Sequence, residues 1–270
     1  MTKPVPESAE PRWIAELTEN NFLFRGMAAT ELGNYLSAAD CPLEKLYSGR
    51  PIYTAYLPDE PTDYLYALVS GGPVMVRSAP LDRAIALTYP GSCFGILDLD
   101  LEEMRVARGF PSLVEAYKTT DAVKIPRQAV RAIYKDNSDF RDRYHLLLEL
   151  KEKFQYHLLN CSTYPPQAVA ALLRALIYQE RSLGNQPQQT DSKTGSDIFC
   201  FDLPVDIIAR ACQLNHRTVE QVLKGMIKVN LLKANAKSET ASDLVRVCDA
   251  EGLKAVYGAT RDKVSWWPLR

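Results

Sequence analysis

Residues 203–233 read LPVDIIARACQLNHRTVEQVLKGMIKVNLLK, and this pattern predicts two short helices joined by a tight turn. Pro204 suits the first turn of the first helix, since a proline there gives up no hydrogen bond within the helix. The turn is assigned to Cys212-Gln213-Leu214, and Asn215 is placed to cap the second helix. Apolar residues of both helices supply a small shared core: Ile208, Ala211, Leu214, Val219, Val222, Leu223, Met226 and Ile227. The stretch is therefore interpreted as a helix-turn-helix.

The residues around this motif predict a wing and define its charge. Leu231-Leu232 begins a strand, and Leu244–Cys248 is interpreted as the strand that returns beside it. Residues 197–258 contain eight basic and eight acidic side chains, so the module as a whole is neutral. The second helix, His216–Lys228, has three basic residues and one acidic residue, a net charge of +2. Nucleic-acid-binding modules are usually basic on the docking face, so any contact with a polyanion must come from a local patch such as this helix.

The segment between Leu43 and Ile125 changes to a strand-like period. Short runs rich in β-branched and aromatic residues alternate with turns of glycine, proline and aspartate. The predicted strands are Leu43–Tyr47, Ile52–Tyr56, Leu65–Val69, Val74–Arg77, Ile85–Tyr89, Leu113–Thr119 and Ala122–Ile125. Many short strands at nearly regular spacing indicate an antiparallel barrel or roll.

A helical pattern follows, with a mostly apolar seam in a heptad register that only Lys151 interrupts. Two interpretations are open: an amphipathic helix that packs on its own domain, and a two-stranded coiled coil between subunits. The strong apolar repeat favours the coiled coil, because such a repeat suits a partner helix. The dimer seam is then predicted at Phe140, Tyr144, Leu147, Phe154 and Leu158.

Several of these motifs, taken in order, resemble the Crp/Fnr family of transcription regulators. Asn215-His216-Arg217-Thr218-Val219 resembles the start of the family's recognition helix, where a capping residue precedes an Arg-x-Thr-Val run. Upstream segments follow the order of its cyclic-nucleotide-binding roll: Ser48–Ile52, Leu65–Gly71, Pro90–Gly95, Val114–Ala116 and Val123–Pro126. The resemblance extends over roughly residues 20–258.

The resemblance implies an α+β chain with an N-terminal antiparallel β-roll like the cyclic-nucleotide-binding jelly roll. A long dimerisation helix and a C-terminal winged helix-turn-helix would follow it. The predicted segments are a disordered tail at 1–11, a sensor domain at 12–136, a dimerisation helix at 137–163, a winged helix-turn-helix domain at 164–258 and a C-terminal tail at 259–270. Trp266-Trp267 in that last tail is expected to anchor it by packing on a domain.

By this resemblance, a recognition helix spanning about His216–Val229 enters the major groove of DNA. Arginine and glutamine pair with base edges there, and lysine neutralises phosphate. The predicted DNA-binding residues are His216, Arg217, Gln221, Lys224 and Lys228. The chain departs from the family at His216 and Arg217, which stand where the family usually has its base-reading arginine and glutamate. Glu220 adds a negative charge on the side expected to face DNA.

The effector pocket departs from the family further. In members that bind cyclic nucleotides, a Phe-Gly-Glu turn holds the ribose and an Arg-Ser/Thr-Ala step holds the phosphate. Here the corresponding residues are Phe94-Gly95-Ile96 and Phe110-Pro111-Ser112. Without that charge-assisted pair a buried phosphate would lack compensation, so cAMP is not the expected effector.

A group of arginines offers an alternative anion site. They are interpreted either as solvated surface charges or as a displaced site for another phosphate-bearing effector. The residues are Arg77, Arg83, Arg105 and Arg108. A cyclic dinucleotide such as c-di-GMP would suit a dimeric regulator that has lost its mononucleotide pocket, and no other cofactor is predicted.

Composition and motif searches exclude several classes of protein. The 270 residues have a net charge of −1, so no whole-molecule field draws the chain to nucleic acid. No GxSxG, Walker phosphate loop or GxGxxG occurs, so we predict that the protein is not an enzyme and assign no catalytic residue. The scattered cysteines and histidines lack metal-ligand spacing, so no metal site is predicted and a cytoplasmic location is expected. The sequence also contains no apolar run of about 18 residues, so no membrane span is expected.

Two functions agree with these observations. The first is a homodimeric, cytoplasmic transcription regulator that binds DNA under the control of a small effector other than cAMP. The second is a signalling adaptor of the same fold, which binds a second messenger and acts through a protein partner such as another transcription factor. The neutral C-terminal module and Glu220 motivate the second function.

Overall fold

The structure is a computed structural model that describes residues 11–54, 63–78, 82–96, 99, 112–159, 164–185, 187, 189–190, 197–234, 243–259 and 264–267. The chain divides into two compact units. The N-terminal unit comprises Met1–Met75 and Leu87–Leu148, and the C-terminal unit comprises Val76–Ala86 and Glu149–Arg270. The division at Leu148 lies inside the predicted dimerisation helix, 137–163, so this helix belongs to both units.

The described part of the N-terminal unit begins with two short helices, α1 (Arg12–Asn20) and α2 (Ala29–Gly33). α1 buries one face through Trp13, Ile14 and Leu17, as its apolar spacing predicts. The described residues between 43 and 126 then form eight strands: β1 (Leu43–Leu46), β2 (Pro51–Thr54), β3 (Tyr64–Ser70), β4 (Val74–Ser78), β5 (Arg83–Thr88), β6 (Cys93–Gly95), β7 (Ser112–Ala116) and β8 (Thr120–Pro126).

These strands form two four-stranded sheets, in the orders β1-β8-β3-β6 and β2-β7-β4-β5. The pairs of β8 with β1 and β3, of β3 with β6, and of β2 with β7 are antiparallel. This arrangement is the jelly-roll topology and confirms the predicted antiparallel roll and α+β fold class. The part of the β4–β5 hairpin from Val76 to Ala86 belongs to the C-terminal unit.

Two helices follow the roll, α3 (Arg127–Asp136) and α4 (Ser138–Leu159). Asn137 separates them, and its Oδ1 accepts a hydrogen bond of 2.9 Å from the backbone N–H of Phe140. Near the start of α4, Phe140 packs on Phe24 with ring centroids 5.5 Å apart. The hydroxyl of Tyr144 donates a 2.9 Å hydrogen bond to the carbonyl of Ile96.

These contacts correct part of the predicted dimer seam. Phe140 and Tyr144 are fully buried in the N-terminal unit of a single chain, so a partner helix cannot reach them. Phe154 and Leu158 are also buried within one chain, whereas Leu147 and Lys151 stay partly exposed. The interpretation in which the helix packs on its own domain therefore holds at the start of α4. The partly exposed middle of the helix remains available for a contact between subunits.

The C-terminal unit continues with a helical and sheet module. Its elements are α5 (Pro165–Ser182), β9 (Gln189–Thr190), β10 (Asp197–Asp202), α6 (Val205–Cys212), α7 (His216–Lys228), β11 (Leu232–Lys233), β12 (Leu244–Val247) and α8 (Ala250–Gly258). The strands form one sheet in the order β11-β12-β10-β9. β11 pairs antiparallel with β12, with Leu232 opposite Val247, so the predicted wing pairing is confirmed.

None of the described helices combines the length and the apolar character needed to cross a bilayer.

Candidate nucleic-acid interface

The turn between α6 and α7 is built as the sequence predicts. Gln213 has a φ of 53°, a left-handed conformation that ends α6, and the N–H of Leu214 donates to the carbonyl of Ala209 at 3.0 Å. Asn215 caps α7, since its Oδ1 accepts a 2.8 Å hydrogen bond from the backbone N–H of Thr218. The turn and the cap fix the direction in which α7 leaves α6.

Helix α7 has one buried and one exposed face. Val219, Val222 and Met226 are fully buried. The five residues predicted to bind DNA all lie on the exposed face: His216, Arg217, Gln221, Lys224 and Lys228. Glu220 is exposed on the same face. The structure therefore brings all the predicted reading residues to one surface, together with one carboxylate.

His216, the first residue of α7, is linked to α6. Its Nε2 lies 3.2 Å from Oδ1 of Asp206. The other oxygen of that carboxylate accepts a 2.9 Å hydrogen bond from Nε of Arg210, one helical turn further along α6. Asp206 thus connects the start of the candidate reading helix to an arginine on the preceding helix.

Arg210 continues these contacts to the β4–β5 hairpin, within the C-terminal unit. Its Nη1 lies 2.8 Å from Oδ2 of Asp82, and the other oxygen of Asp82 pairs with Arg77. We call the five residues Arg77, Asp82, Arg210, Asp206 and His216 the hairpin–helix chain. Beside it, the buried Arg83 donates from Nε to the carbonyl of Ala211 at 3.3 Å. The hairpin therefore contacts α6 through two arginine-centred interactions.

The predicted effector cluster is only partly described. Arg77 and Arg83 lie on the hairpin, whereas Arg105 and Arg108 lie outside the described residues. Arg83 is only 7% exposed and binds a backbone carbonyl, which makes it a structural residue of the hairpin. The sequence reasoning missed Arg210. Its spacing of four from Asp206 signals an ion pair on one helix, but no local pattern reveals its contact with Asp82.

The Phe94-Gly95-Ile96 turn, where the resemblance would predict a carboxylate for a ribose, is well formed. Gly95 has a φ of 114°, and a Cβ there would overlap the carbonyl oxygen of Tyr64. Ile96 takes the position of the missing carboxylate and is buried, with its N–H donating to the carbonyl of Tyr64 at 3.2 Å. Phe94 is stacked on Tyr66 with ring centroids 4.8 Å apart. The turn is therefore an apolar part of the roll. In the other predicted motif, Phe110 and Pro111 lie outside the described residues.

Part of the C-terminal tail packs on α7. A Cβ at Gly225 would lie 2.6 Å from Cζ3 of Trp266, so the indole lies against the backbone of the helix. Trp266 and Trp267 are half-buried and their rings meet edge to face with centroids 6.3 Å apart. The predicted anchoring of this tail is confirmed for Trp266. Gly225 neighbours Gln221 along the helix, so the indole lies beside the exposed face.

Two cysteines of the described residues, Cys41 and Cys93, have structural environments. Cys41 and Cys93 are buried free thiols, and burial raises the pKa of Cys41 to about 11 and that of Cys93 to about 12. Thiols held in the protonated form are poor nucleophiles and poor metal ligands. Within the described ranges, no group of three or more His, Cys, Asp or Glu side chains is arranged to hold a metal ion.

Comparison with known proteins finds similarity in structure and not in sequence. No protein-family model and no curated protein sequence matches the chain. FixK2 from Bradyrhizobium japonicum aligns with a TM-score of 0.56 at 15% identity, over 82% of this chain and 98% of that chain. A mutant of CooA from Carboxydothermus hydrogenoformans aligns with a TM-score of 0.58 at 15% identity, over 89% of this chain and 97% of that chain.

A third solved structure comes from the CRP family. TTHB099 from Thermus thermophilus is a transcriptional regulator of the CRP family, and it aligns with a TM-score of 0.51 at 17% identity. The alignment covers 80% of this chain and 97% of that chain. The chain has the fold of the Crp/Fnr family of transcription regulators.

Proposed function

We propose that this protein is a dimeric transcription regulator that binds DNA through α7. The proposal rests on the exposed face of α7, where Arg217, Gln221 and Lys224 lie together on a capped helix whose opposite face is buried. Arginine and glutamine can each form paired hydrogen bonds with a base edge, and lysine can neutralise a phosphate. An α-helix with its side chains fits the major groove, which is about 12 Å wide.

The charge of this face supports modest rather than strong affinity. Three basic residues and one acidic residue give α7 a net charge of +2. The contribution of counterion release grows with the number of phosphates neutralised, so few contacts give a shallow salt dependence. Two copies of α7 in a dimer would double these contacts on a site with two-fold symmetry. Dimerisation is therefore part of the proposal, and the partly exposed Leu147 and Lys151 of α4 support a contact there.

A DNA titration tests the proposal. Fluorescence anisotropy with genomic and random fragments at several salt concentrations measures both the affinity and its salt slope. We expect the double variant R217A/K224A to bind at least about tenfold more weakly and to lose about one to two units of slope per chain. The matched control K135A/K254A removes two exposed lysines on α3 and α8 and should change neither. Equal behaviour of the two double variants would show that α7 is not the DNA-binding helix.

The effector in this proposal is a small anion other than cAMP, with a cyclic dinucleotide such as c-di-GMP as the first candidate. Ile96 supports the exclusion of cAMP, because a buried apolar side chain there cannot bind a ribose hydroxyl. A thermal-shift screen against cyclic mononucleotides and dinucleotides tests it, since a ligand of the folded state raises the melting temperature. A rise with cAMP alone would contradict the proposal.

Glu220 supports a second candidate function, a signalling adaptor that binds another transcription factor in place of DNA. Its exposed carboxylate lies on the face that would meet phosphates, and residues 197–258 have no net charge. The two functions differ in one measurement. Direct binding of DNA at low salt favours the regulator, whereas retention on DNA only when a partner protein is added favours the adaptor.

A further inference from the structure

We propose that Arg77 and Arg210 form a binding site for the phosphate group of an anionic ligand, and that the carboxylate of Asp82 fills this site in the ligand-free chain. The inference rests on the effector-controlled function proposed above and gives that effector a location. In the predicted arginine cluster, Arg210 takes the place of Arg83, because Arg83 already donates to the carbonyl of Ala211. All these residues belong to the C-terminal unit.

The geometry is that of a carboxylate between two guanidinium groups. One oxygen of Asp82 pairs with Nη1 of Arg77, and the other lies 2.8 Å from Nη1 of Arg210. The side chains of Arg77 and Arg210 are only 16% and 32% exposed, whereas that of Asp82 is 60% exposed. The two cations are thus held by the protein, and the anion between them is open to solvent. An anion from solution can approach the position that Asp82 occupies.

Charge favours replacement of the carboxylate by a phosphate. Arg77 and Arg210 place two guanidinium groups around the single carboxylate of Asp82. A phosphate group offers more acceptor oxygens than a carboxylate, and guanidinium groups bind phosphates through paired hydrogen bonds. A phosphate-bearing ligand would therefore compete well for both arginines.

The hairpin can lose the carboxylate of Asp82 and keep a contact with α6. The φ of Asp82 is 48°, in the left-handed region, where aspartate, asparagine and glycine are the favoured residues, so asparagine and glycine are suitable substitutions there. The second contact of the hairpin, from Arg83 to the carbonyl of Ala211, does not involve Asp82. Loss of the carboxylate would thus open the anion site and keep the hairpin beside α6.

Further side-chain contacts connect the site to the candidate reading helix. Arg210 binds Asp206 at 2.9 Å, and Asp206 lies 3.2 Å from His216 at the start of α7. A phosphate that takes Asp82's place changes the charge beside Arg210 and removes one ion pair between the hairpin and α6. Ligand binding at Arg77 and Arg210 would therefore act on the helix pair that presents Arg217 and Gln221.

Removal of the internal carboxylate provides the test. The affinity of the full-length chain for inorganic phosphate is measured by calorimetry at constant ionic strength, in wild type and in D82N. We expect D82N to bind phosphate at least about tenfold more tightly, because the competing carboxylate is gone. D82G serves if D82N folds poorly, since glycine suits the left-handed backbone. The control D197N removes an exposed carboxylate elsewhere in the C-terminal unit and should leave phosphate binding unchanged.

A second arginine variant completes the test. D82N/R210Q should lose the gained affinity, whereas D82N/R181Q, which removes an exposed arginine on α5, should keep it. If D82N and D82G bind phosphate no better than wild type, or if R210Q leaves the gain intact, the site is not the one proposed. DNA affinity is measured separately, so a chain that gains phosphate binding but never binds DNA would keep this site and refute the proposed regulator.

Discussion

Two turns of this chain, Phe94-Gly95-Ile96 and the turn before α7, both have a regular backbone but differ in what surrounds them. At the first turn Gly95 has a positive φ and Ile96 is buried, so the turn serves the packing of the roll. At the second turn the Asn215 cap starts α7, whose exposed face is polar. Backbone geometry and side-chain chemistry are therefore separable. One turn forms part of the core, and the other presents polar groups to solvent.

The largest effect on stability is expected at the Phe94-Gly95-Ile96 turn. Gly95→Ala adds a Cβ that overlaps the carbonyl oxygen of Tyr64 at a φ of 114°, so β3 must shift. We expect a loss of about 3 kcal/mol or more in the free energy of unfolding, measured with urea. Gly49→Ala is the control, because its φ of 68° is also positive but no atom lies within 4 Å of the added Cβ. Equal losses for both variants would show that the contact with Tyr64 does not matter.

The next largest effect on stability is expected in α4, the helix that belongs to both units. Burial lowers the pKa of Lys151 on α4 from 10.5 to about 8, so the folded chain holds its charged form poorly. Methionine removes the cost of burying this charge, so we expect Lys151→Met to stabilise the chain at pH 7. The gain should be about 1–2 kcal/mol, a value limited by the partial exposure of the side chain. Lys153→Met is the control, since Lys153 is exposed and pairs with Glu149.

The stability gained by Lys151→Met should depend on pH, and the lowered pKa sets the direction of that dependence. Below pH 8 Lys151 is charged in both states, so the gain from methionine is constant. Between pH 8 and 10.5 the folded chain releases the proton before the unfolded chain does, so wild type becomes relatively more stable. The advantage of Lys151→Met should therefore fade over this range in urea titrations at several pH values. A gain that grows with pH would contradict the assigned pKa.

A smaller effect is expected at the second turn. Asn215→Ala removes the acceptor of the Thr218 N–H and should cost about 1 kcal/mol in thermal unfolding. Asn215→Ser keeps an acceptor and should restore most of that stability. If serine were no better than alanine, the cap would not be what fixes the start of α7.

The sequence predicts these local features and misses those that join distant segments. Asn215, the wing strands and the buried face of α7 follow from capping and periodicity, which act over a few residues. The pair Asp82–Arg210 joins residues that are 128 positions apart, and no local pattern encodes such a contact. The heptad seam of α4 failed at Phe140 and Tyr144 for a related reason. Periodicity shows that a face is buried, but it does not identify what covers that face.

The smallest change in stability should come from Gly225, where two effects oppose each other. Gly225→Ala favours the helix by about 1 kcal/mol through its propensity. It also places a Cβ 2.6 Å from Cζ3 of Trp266, so the indole must leave the helix and lose its packing. We therefore expect a nearly unchanged melting temperature together with a red shift in tryptophan emission. Trp13 is buried in the N-terminal unit and gives a constant background.

Gly258→Ala is the matched control for this variant, because its added methyl group meets no atom within 4 Å and should leave the emission unchanged. A Gly225→Ala chain with unchanged emission would mean that the tail does not pack on α7 in solution. The DNA affinity of the same variant then extends the comparison of the two turns. If release of Trp266 alters binding, the tail shapes the face beside Gln221. If it does not, α7 alone forms the proposed reading face.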